Sequence, residues 1–321
     1  MKWKILLLSG VCTAVLGAAE VSEVAAEMLP QAKEQSITVV GPDGWLYSRN
    51  ELTHLAAGPL AGGRIVEVSK ATRKDNADPI PAIVDFNEQL KALGIRLLVM
   101  PVPPKLAVYP IAGLNVGEAA KYLQAFDAEL QKQDVEVLDL TPNLIAARNL
   151  GVFCRQDSHW SPAGIELAAQ LLADRIGLKG NDKFQATEKE VKIVGDLQKS
   201  LNPESGVSET LKLRIIGGEV FSENSPILLL GDSHCLVFSA GGDMLAQGAG
   251  LGEQLAYDLQ MPIDRIGVKG SASTPVRVNL YRKAAKNPEW LKHKKIVVWV
   301  FSCREFTEST NGWAKVPVLK K

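Results

Sequence analysis

The sequence predicts an α/β fold: a mostly parallel sheet with helices on both faces. Short apolar runs at 95–102, 227–230 and 295–301 read as strands buried on both sides. Stretches with apolar residues at helical spacing separate them, and this alternation is what a parallel sheet with crossover helices requires. No internal repeat or long linker marks a second domain in the 321 residues.

In chain order, 36–40 is β-branched and strand-like, and Gly41-Pro42-Asp43-Gly44 is a turn. Ile80, Ile83, Val84, Leu90 and Leu93 recur at helical spacing over 79–93, and Gly94 is a stop signal. The strand at 95–102 follows. A helix is expected over 118–133, a strand over 135–140 and a further helix opening at Thr141-Pro142. Ser161-Pro162 caps a strong helix that runs to Ile176, with Gly177 at its end. Residues 180–225 are polar with short β-like pieces at 191–194 and 211–216, and read as an insertion or lid. The strand 227–230 runs into Gly231-Asp232-Ser233. Helices around 251–259 and 275–286 precede the last strand.

Lys plus Arg equals Asp plus Glu at 36 each, so no basic field directs the chain to nucleic acid. Residues 1–19 carry Lys2 and Lys4, a short apolar stretch from Ile5 to Gly17, and small residues at Gly17 and Ala19. This is the pattern of a secretory signal peptide cleaved after Ala19, with retention as a membrane anchor as the alternative. Residues 20–35 read as a leader, and 36–321 as the domain. Cleavage would remove Cys12, leaving Cys154, Cys235 and Cys303. Three cysteines cannot all pair, so one disulfide with a free thiol, or three buried thiols acting as small apolar fillers, are both open.

Ligands in such folds gather at the carboxyl ends of the strands. Ser233 lies just past one such end, where a tight turn presents its hydroxyl and nearby backbone N–H groups face an oxyanion. Gly-Asp-Ser also occurs in ordinary turns. Asp157-Ser158-His159-Trp160 is the second element. A serine nucleophile needs a base, and the base needs an orienting carboxylate. An Asp two residues before a His can bend back to hold one ring nitrogen and leave the other for the serine proton. The alternative is that Asp157 and His159 only cap and pack a loop.

Together the two segments resemble the SGNH-hydrolase-like domain of the alginate O-acetyltransferase family. Gly41-Pro-Asp-Gly-Trp-Leu-Tyr47, the block from Val99 to Pro110 and Trp299-Val-Phe-Ser-Cys-Arg-Glu-Phe306 extend the likeness over about residues 37–310. The resemblance implies a catalytic Asp157, His159 and Ser233, with the Asp-His pair before the Ser, a permuted order relative to ordinary SGNH esterases. It implies a periplasmic enzyme that moves acetyl groups from an acetyl donor onto an exopolysaccharide acceptor, beside a membrane-bound O-acyltransferase partner. No cofactor or metal is implied. Two departures stand out. His234 follows the serine where many relatives carry an aromatic residue, and no carbohydrate-binding module follows Phe306, so alginate is one candidate acceptor among others.

Five further residues are candidates for oxyanion, substrate or cleft-lining contacts. Gly270 lies in a strand–helix turn, where it either donates an N–H or simply turns the chain. Arg304 follows the last strand. Tyr109 and Lys105 follow the 95–102 strand and either line the cleft or brace it. His234 neighbours the nucleophile. Trp45 and Tyr47 read as core, and His54 and His293 as surface. Rival readings are a stand-alone carbohydrate acetyl esterase, a metal-dependent hydrolase using the two Asp-Ser-His tripeptides, and a non-catalytic scaffold of a polysaccharide export complex.

Overall fold

The computed structural model describes residues 20–320 apart from 33–35, 42–43, 61–62, 112–113, 115 and 205. The expected signal peptide, Cys12 and two residues of the 41–44 turn lie outside the described residues. The described residues form nine strands: β1 (Thr38–Val40), β2 (Leu46–Ser48), β3 (Arg96–Val102), β4 (Glu136–Val137), β5 (Gln185–Ile193), β6 (Glu209–Gly217), β7 (Ile227–Gly231), β8 (Asp264–Gly267) and β9 (Ile296–Ser302). Five form the central sheet in the order β4-β3-β9-β7-β8, every pair parallel.

Strand periodicity sorts the core into two layers. Leu98, Met100, Leu229, Val298 and Val300 face the helices Pro162–Ile176 and Leu251–Leu259 through Ile165, Leu172 and Leu255. Their strand neighbours Leu97, Val99, Leu228, Leu230, Val297 and Trp299 face the helices Ile80–Ala92 and Thr274–Lys286 through Phe86, Leu90 and Leu280. The sheet is thus covered on both faces, as the unbroken apolar runs require.

Local chemistry sets the element ends. Ser161 Oγ accepts from the Gly164 N–H at 3.3 Å, Pro162 fills the first turn, and Gly177 closes the helix at φ 69°. The expected strand over 135–140 is shorter, because only Glu136 and Val137 are aligned with β3. Beyond them the Asp139 carboxylate accepts from the Thr141 N–H at 2.8 Å and turns the chain into the next helix.

Two regions differ from their sequence patterns. The stretch expected as a leader contains a helix, Val21–Met28, whose Val21, Val24, Ala25 and Met28 are buried in a third cluster with Leu52 and Leu55. The segment 180–225 holds a long antiparallel hairpin, β5 with β6, and the helix Asp196–Leu201. Most of β5 is exposed, so no apolar alternation announced its length. No helix among the described residues is long and apolar enough to cross a membrane.

Candidate active site

The parallel order places the ends of β7 and β9 side by side. β7 ends in Gly231, and a Cβ there would stand 2.1 Å from Cys235 Sγ and 2.8 Å from the Val300 carbonyl oxygen. Only glycine lets the chain turn so closely against β9. Asp232 then folds back: its Oδ1 accepts from the His234 N–H at 2.8 Å and its Oδ2 from the Ser302 N–H at 2.8 Å. The turn presents Ser233 at the carboxyl edge of the sheet.

The loop 153–160, just before the helix Pro162–Ile176, brings in His159. Phe153 and Trp160 close an antiparallel bridge, so the intervening residues form a tight hairpin. Asp157 Oδ1 accepts from the His159 N–H at 3.0 Å and from its ring Nδ1–H at 2.6 Å. Because an ionised carboxylate only accepts, this fixes the tautomer and leaves Nε2 with a lone pair. That Nε2 accepts from Ser233 Oγ at 2.7 Å, although 74 residues separate them in the chain. Asp157, His159 and Ser233, all buried, therefore form one continuous proton relay.

Electrostatics follow from these contacts. Burial resists a charge on His159, but the Asp157 carboxylate and its hydrogen bond outweigh it and hold the imidazole pKa above its ordinary value. Asp157 is buried too, yet His159 and three N–H or ring donors push its carboxyl well below the usual range. Buried Asp232 falls to about 2, mainly through His234 and the Ser302 N–H. His234 moves the other way from His159: burial dominates and lowers it, with the charges of His159 and Arg304 adding to the effect.

Three residues that sequence reasoning did not assign to the site brace the loop that carries Asp157 and His159. Asp196 takes the Ser158 N–H at 2.7 Å and the Ser158 hydroxyl at 2.5 Å, while its own N–H donates to Asp157 Oδ2 at 2.8 Å. Glu209 accepts from the N–H groups of Arg155 and Gln156 at 2.9 and 3.1 Å. Gly195 approaches so closely that a Cβ would sit 2.1 Å from the Gln156 carbonyl oxygen. The region expected as an insertion or lid thus forms the back wall of the Asp157 loop. The sequence predicts only a β-like piece at 191–194 here, with nothing to link Asp196 to Ser158.

Of the second-tier candidates, Lys105 is fully buried, and its ammonium donates to the carbonyls of Leu46 and Asp157 at 2.8 and 2.6 Å. It braces the Asp157 loop. Tyr109 stacks on Trp45 at 4.2 Å, and its hydroxyl donates to the Arg148 carbonyl and accepts from the Val152 N–H. Gly270 occupies an exposed turn at φ 89°, and among the described residues no hydrogen bond ties it to the Ser233 turn. Arg304 is half-buried just past β9. His54, expected at the surface from its polar neighbours, is buried: its Nδ1 lies 2.9 Å from Thr307 Oγ1, and desolvation lowers its pKa to about 3. Cys154, Cys235 and Cys303 are buried thiols, and burial raises all three.

Asp157, His159 and Asp196 bring metal-ligand atoms within 4.8 Å of one another. Those atoms already serve the internal hydrogen bonds above, and each Asp–His couple closes on itself rather than on a shared point. A surface cavity of about 520 Å³, lined by Val21, Leu60, Ile65, Ile80 and Phe126 among others, shares no residue with the relay.

A family model for the SGNH hydrolase-like domain of acetyltransferase AlgX matches residues 38–302. The probable alginate O-acetylase AlgJ of Pseudomonas syringae pv. tomato is 32% identical over 148 residues, 44% of this chain and 34% of that protein. The matched segment spans about a third of the length of the curated relatives. Among solved structures, the O-acetyltransferase domain of Pseudomonas putida AlgJ superposes with a TM-score of 0.62 at 22% identity, covering 85% of this chain and 93% of that one. Pseudomonas aeruginosa AlgX does so with a TM-score of 0.58 at 18% identity, covering 87% and 65%. Both are likenesses of fold.

Proposed function

The chain belongs to the family of SGNH hydrolase-like domains of acetyltransferase AlgX, and on that premise we propose that it is a periplasmic O-acetyltransferase that acetylates an exopolysaccharide through an acetyl-serine. The relay from Asp157 through His159 to Ser233, at 2.6 and 2.7 Å, is the observation that carries this reading.

His159 Nε2 takes the Ser233 proton as Oγ attacks the acetyl carbonyl. The proton passes to the leaving group of the donor, whose bond to the acetyl carbon breaks. An acceptor hydroxyl then gives its proton to His159 Nε2 and attacks the acetyl-serine, and the proton returns to Ser233 Oγ as the ester to serine breaks. Asp157 stabilises the imidazolium in both halves. The Ser233 N–H, which has no partner among the described residues, faces the developing oxyanion from the nucleophile turn. The AlgJ relatives support a polysaccharide as acceptor, and a membrane-bound O-acyltransferase as the partner that supplies acetyl groups belongs to the same proposal.

The test follows a labelled acetyl ester into product with and without an oligosaccharide. Labelled sugar ester made by the wild type and not by Ser233→Ala supports the transferase. Labelled acetate alone, at a rate no acceptor changes, would make the protein an esterase.

A further inference from the structure

The relay uses one Asp–His couple, yet the site holds two. Asp232 and His234 repeat the first couple's contacts: the Asp232 Oδ1 accepts from the His234 N–H at 2.8 Å and from its Nδ1–H at 3.1 Å. The second ring lies 4.9 Å from the first, edge-on at 61°, and Trp160 fixes it by an edge contact at 5.5 Å and a hydrogen bond to the His234 carbonyl at 3.1 Å. Both nitrogens of His159 are committed. In His234 only Nδ1 is, and Nε2 is unbonded among the described residues without being sealed from solvent.

The tautomer decides what this nitrogen can bind. Asp232 only accepts, so Nδ1 must carry the proton and Nε2 a lone pair. A lone pair repels an oxyanion, so of the two roles for which His234 was a sequence candidate it suits a substrate contact and not the oxyanion. It fits a hydroxyl proton. The groups that bear on the ring are Asp232, His159 and Arg304. Arg304, at the end of the neighbouring strand, makes no ion pair or side-chain hydrogen bond among the described residues. A hydroxyl both donates and accepts, so a lone pair and a guanidinium together can hold one. We infer that His234 Nε2 and the Arg304 guanidinium form a hydroxyl-binding subsite beside Ser233, which holds the acceptor by a hydroxyl next to the one being acetylated. This rests on the acetyl-transfer reading above and gives it a specificity: acceptors with neighbouring hydroxyls over isolated alcohols.

The test partitions the acetyl-enzyme, formed from 4-nitrophenyl acetate, between glycerol and 1-propanol. The wild type prefers glycerol per hydroxyl by about fivefold, the worth of about one net hydrogen bond. His234→Phe and Arg304→Gln bring the ratio toward one, with acylation changed much less than the ratio. His234→Gln, whose amide oxygen accepts a hydrogen bond, retains part of the preference. A ratio of one in the wild type, or a preference that survives both His234→Phe and Arg304→Gln, overturns the subsite. So does a fall in acylation that matches the fall in transfer, which marks a structural role. Melting temperatures identify a variant that fails to fold, and half-buried Arg304 then carries the comparison. If the wild type forms no acetyl-enzyme, the acetyl-transfer reading itself fails and the subsite falls with it.

Discussion

The chain carries the tripeptide Asp-Ser-His twice, and both copies fold into the same turn. At 157–159 and at 232–234 the Asp side chain accepts from the His N–H and from the His ring. What differs is the central serine. Ser158 is captured by the Asp196 carboxylate through both its N–H and its hydroxyl, whereas Ser233 stands free of such a clamp and meets the ring of the other turn. The two imidazoles diverge as well: His159 is raised by its carboxylate and His234 is lowered by burial. The tripeptide is thus a device for fixing a ring. Under the proposed mechanism, the neighbourhood decides which serine acts as nucleophile and which histidine as base.

Substitutions of the two serines put that contrast at greatest risk. Ser233→Ala should remove ester turnover by a factor of about 10⁴ or more. Ser158→Ala, which leaves the relay atoms in place, belongs at the other end of the series. Asp157→Asn should cost about 10³ to 10⁴ in turnover by losing the tautomer lock. It should also shift the pH profile. Only neutral His159 can accept the serine proton, so activity rises as pH climbs through its raised pKa. Without the Asp157 carboxylate, burial is opposed only by the weaker pull of Asp196 and Asp232, and the rising limb moves to lower pH. A limb that stays in place would assign the base elsewhere. Asp232→Asn, measured in parallel, should move that limb the same way but by much less, because the Asp232 charge is the smallest of those that raise His159.

Lys105→Met tests the brace beneath the first turn. It leaves the carbonyls of Leu46 and Asp157 without their buried donor, and the cost should be about 1–3 kcal/mol in chemical denaturation. Turnover should fall more than the second turn alone would predict, because only the Asp157 loop is loosened. At the small end, Ser158→Ala should change turnover by less than about tenfold and lower stability by about 1–2 kcal/mol, the loss of one charge-assisted bond. Equal losses for the two serines would erase the distinction between the turns.

Much of this was legible in the sequence where local chemistry rules. The strand-and-helix alternation and the Ser161 cap and Gly177 stop rest on residues within a few positions of one another, and the roles proposed for Asp157, His159 and Ser233 rest on two short motifs 74 positions apart. The braces were not legible. Lys105, Asp196 and Glu209 reach the catalytic loop from 38 to 54 positions away, and a charged side chain in a polar stretch gives no sign that it will be folded inward. His54 shows the same blindness: its sequence context placed it at the surface, but its helix, which also carries Leu52 and Leu55, turns it inward onto Thr307 and Phe306. The open nitrogen of His234 depended on which way a buried ring is turned, and no residue pattern records that.

The central claim is that Ser233 becomes acetylated by the relay. The direct measurement is intact mass of the protein, quenched after mixing with 4-nitrophenyl acetate, followed by peptide mapping. The account predicts a gain of one acetyl group located on Ser233, lost on adding a sugar acceptor, and absent from Ser233→Ala and His159→Ala. Turnover without any adduct, undiminished in Ser233→Ala, would contradict it.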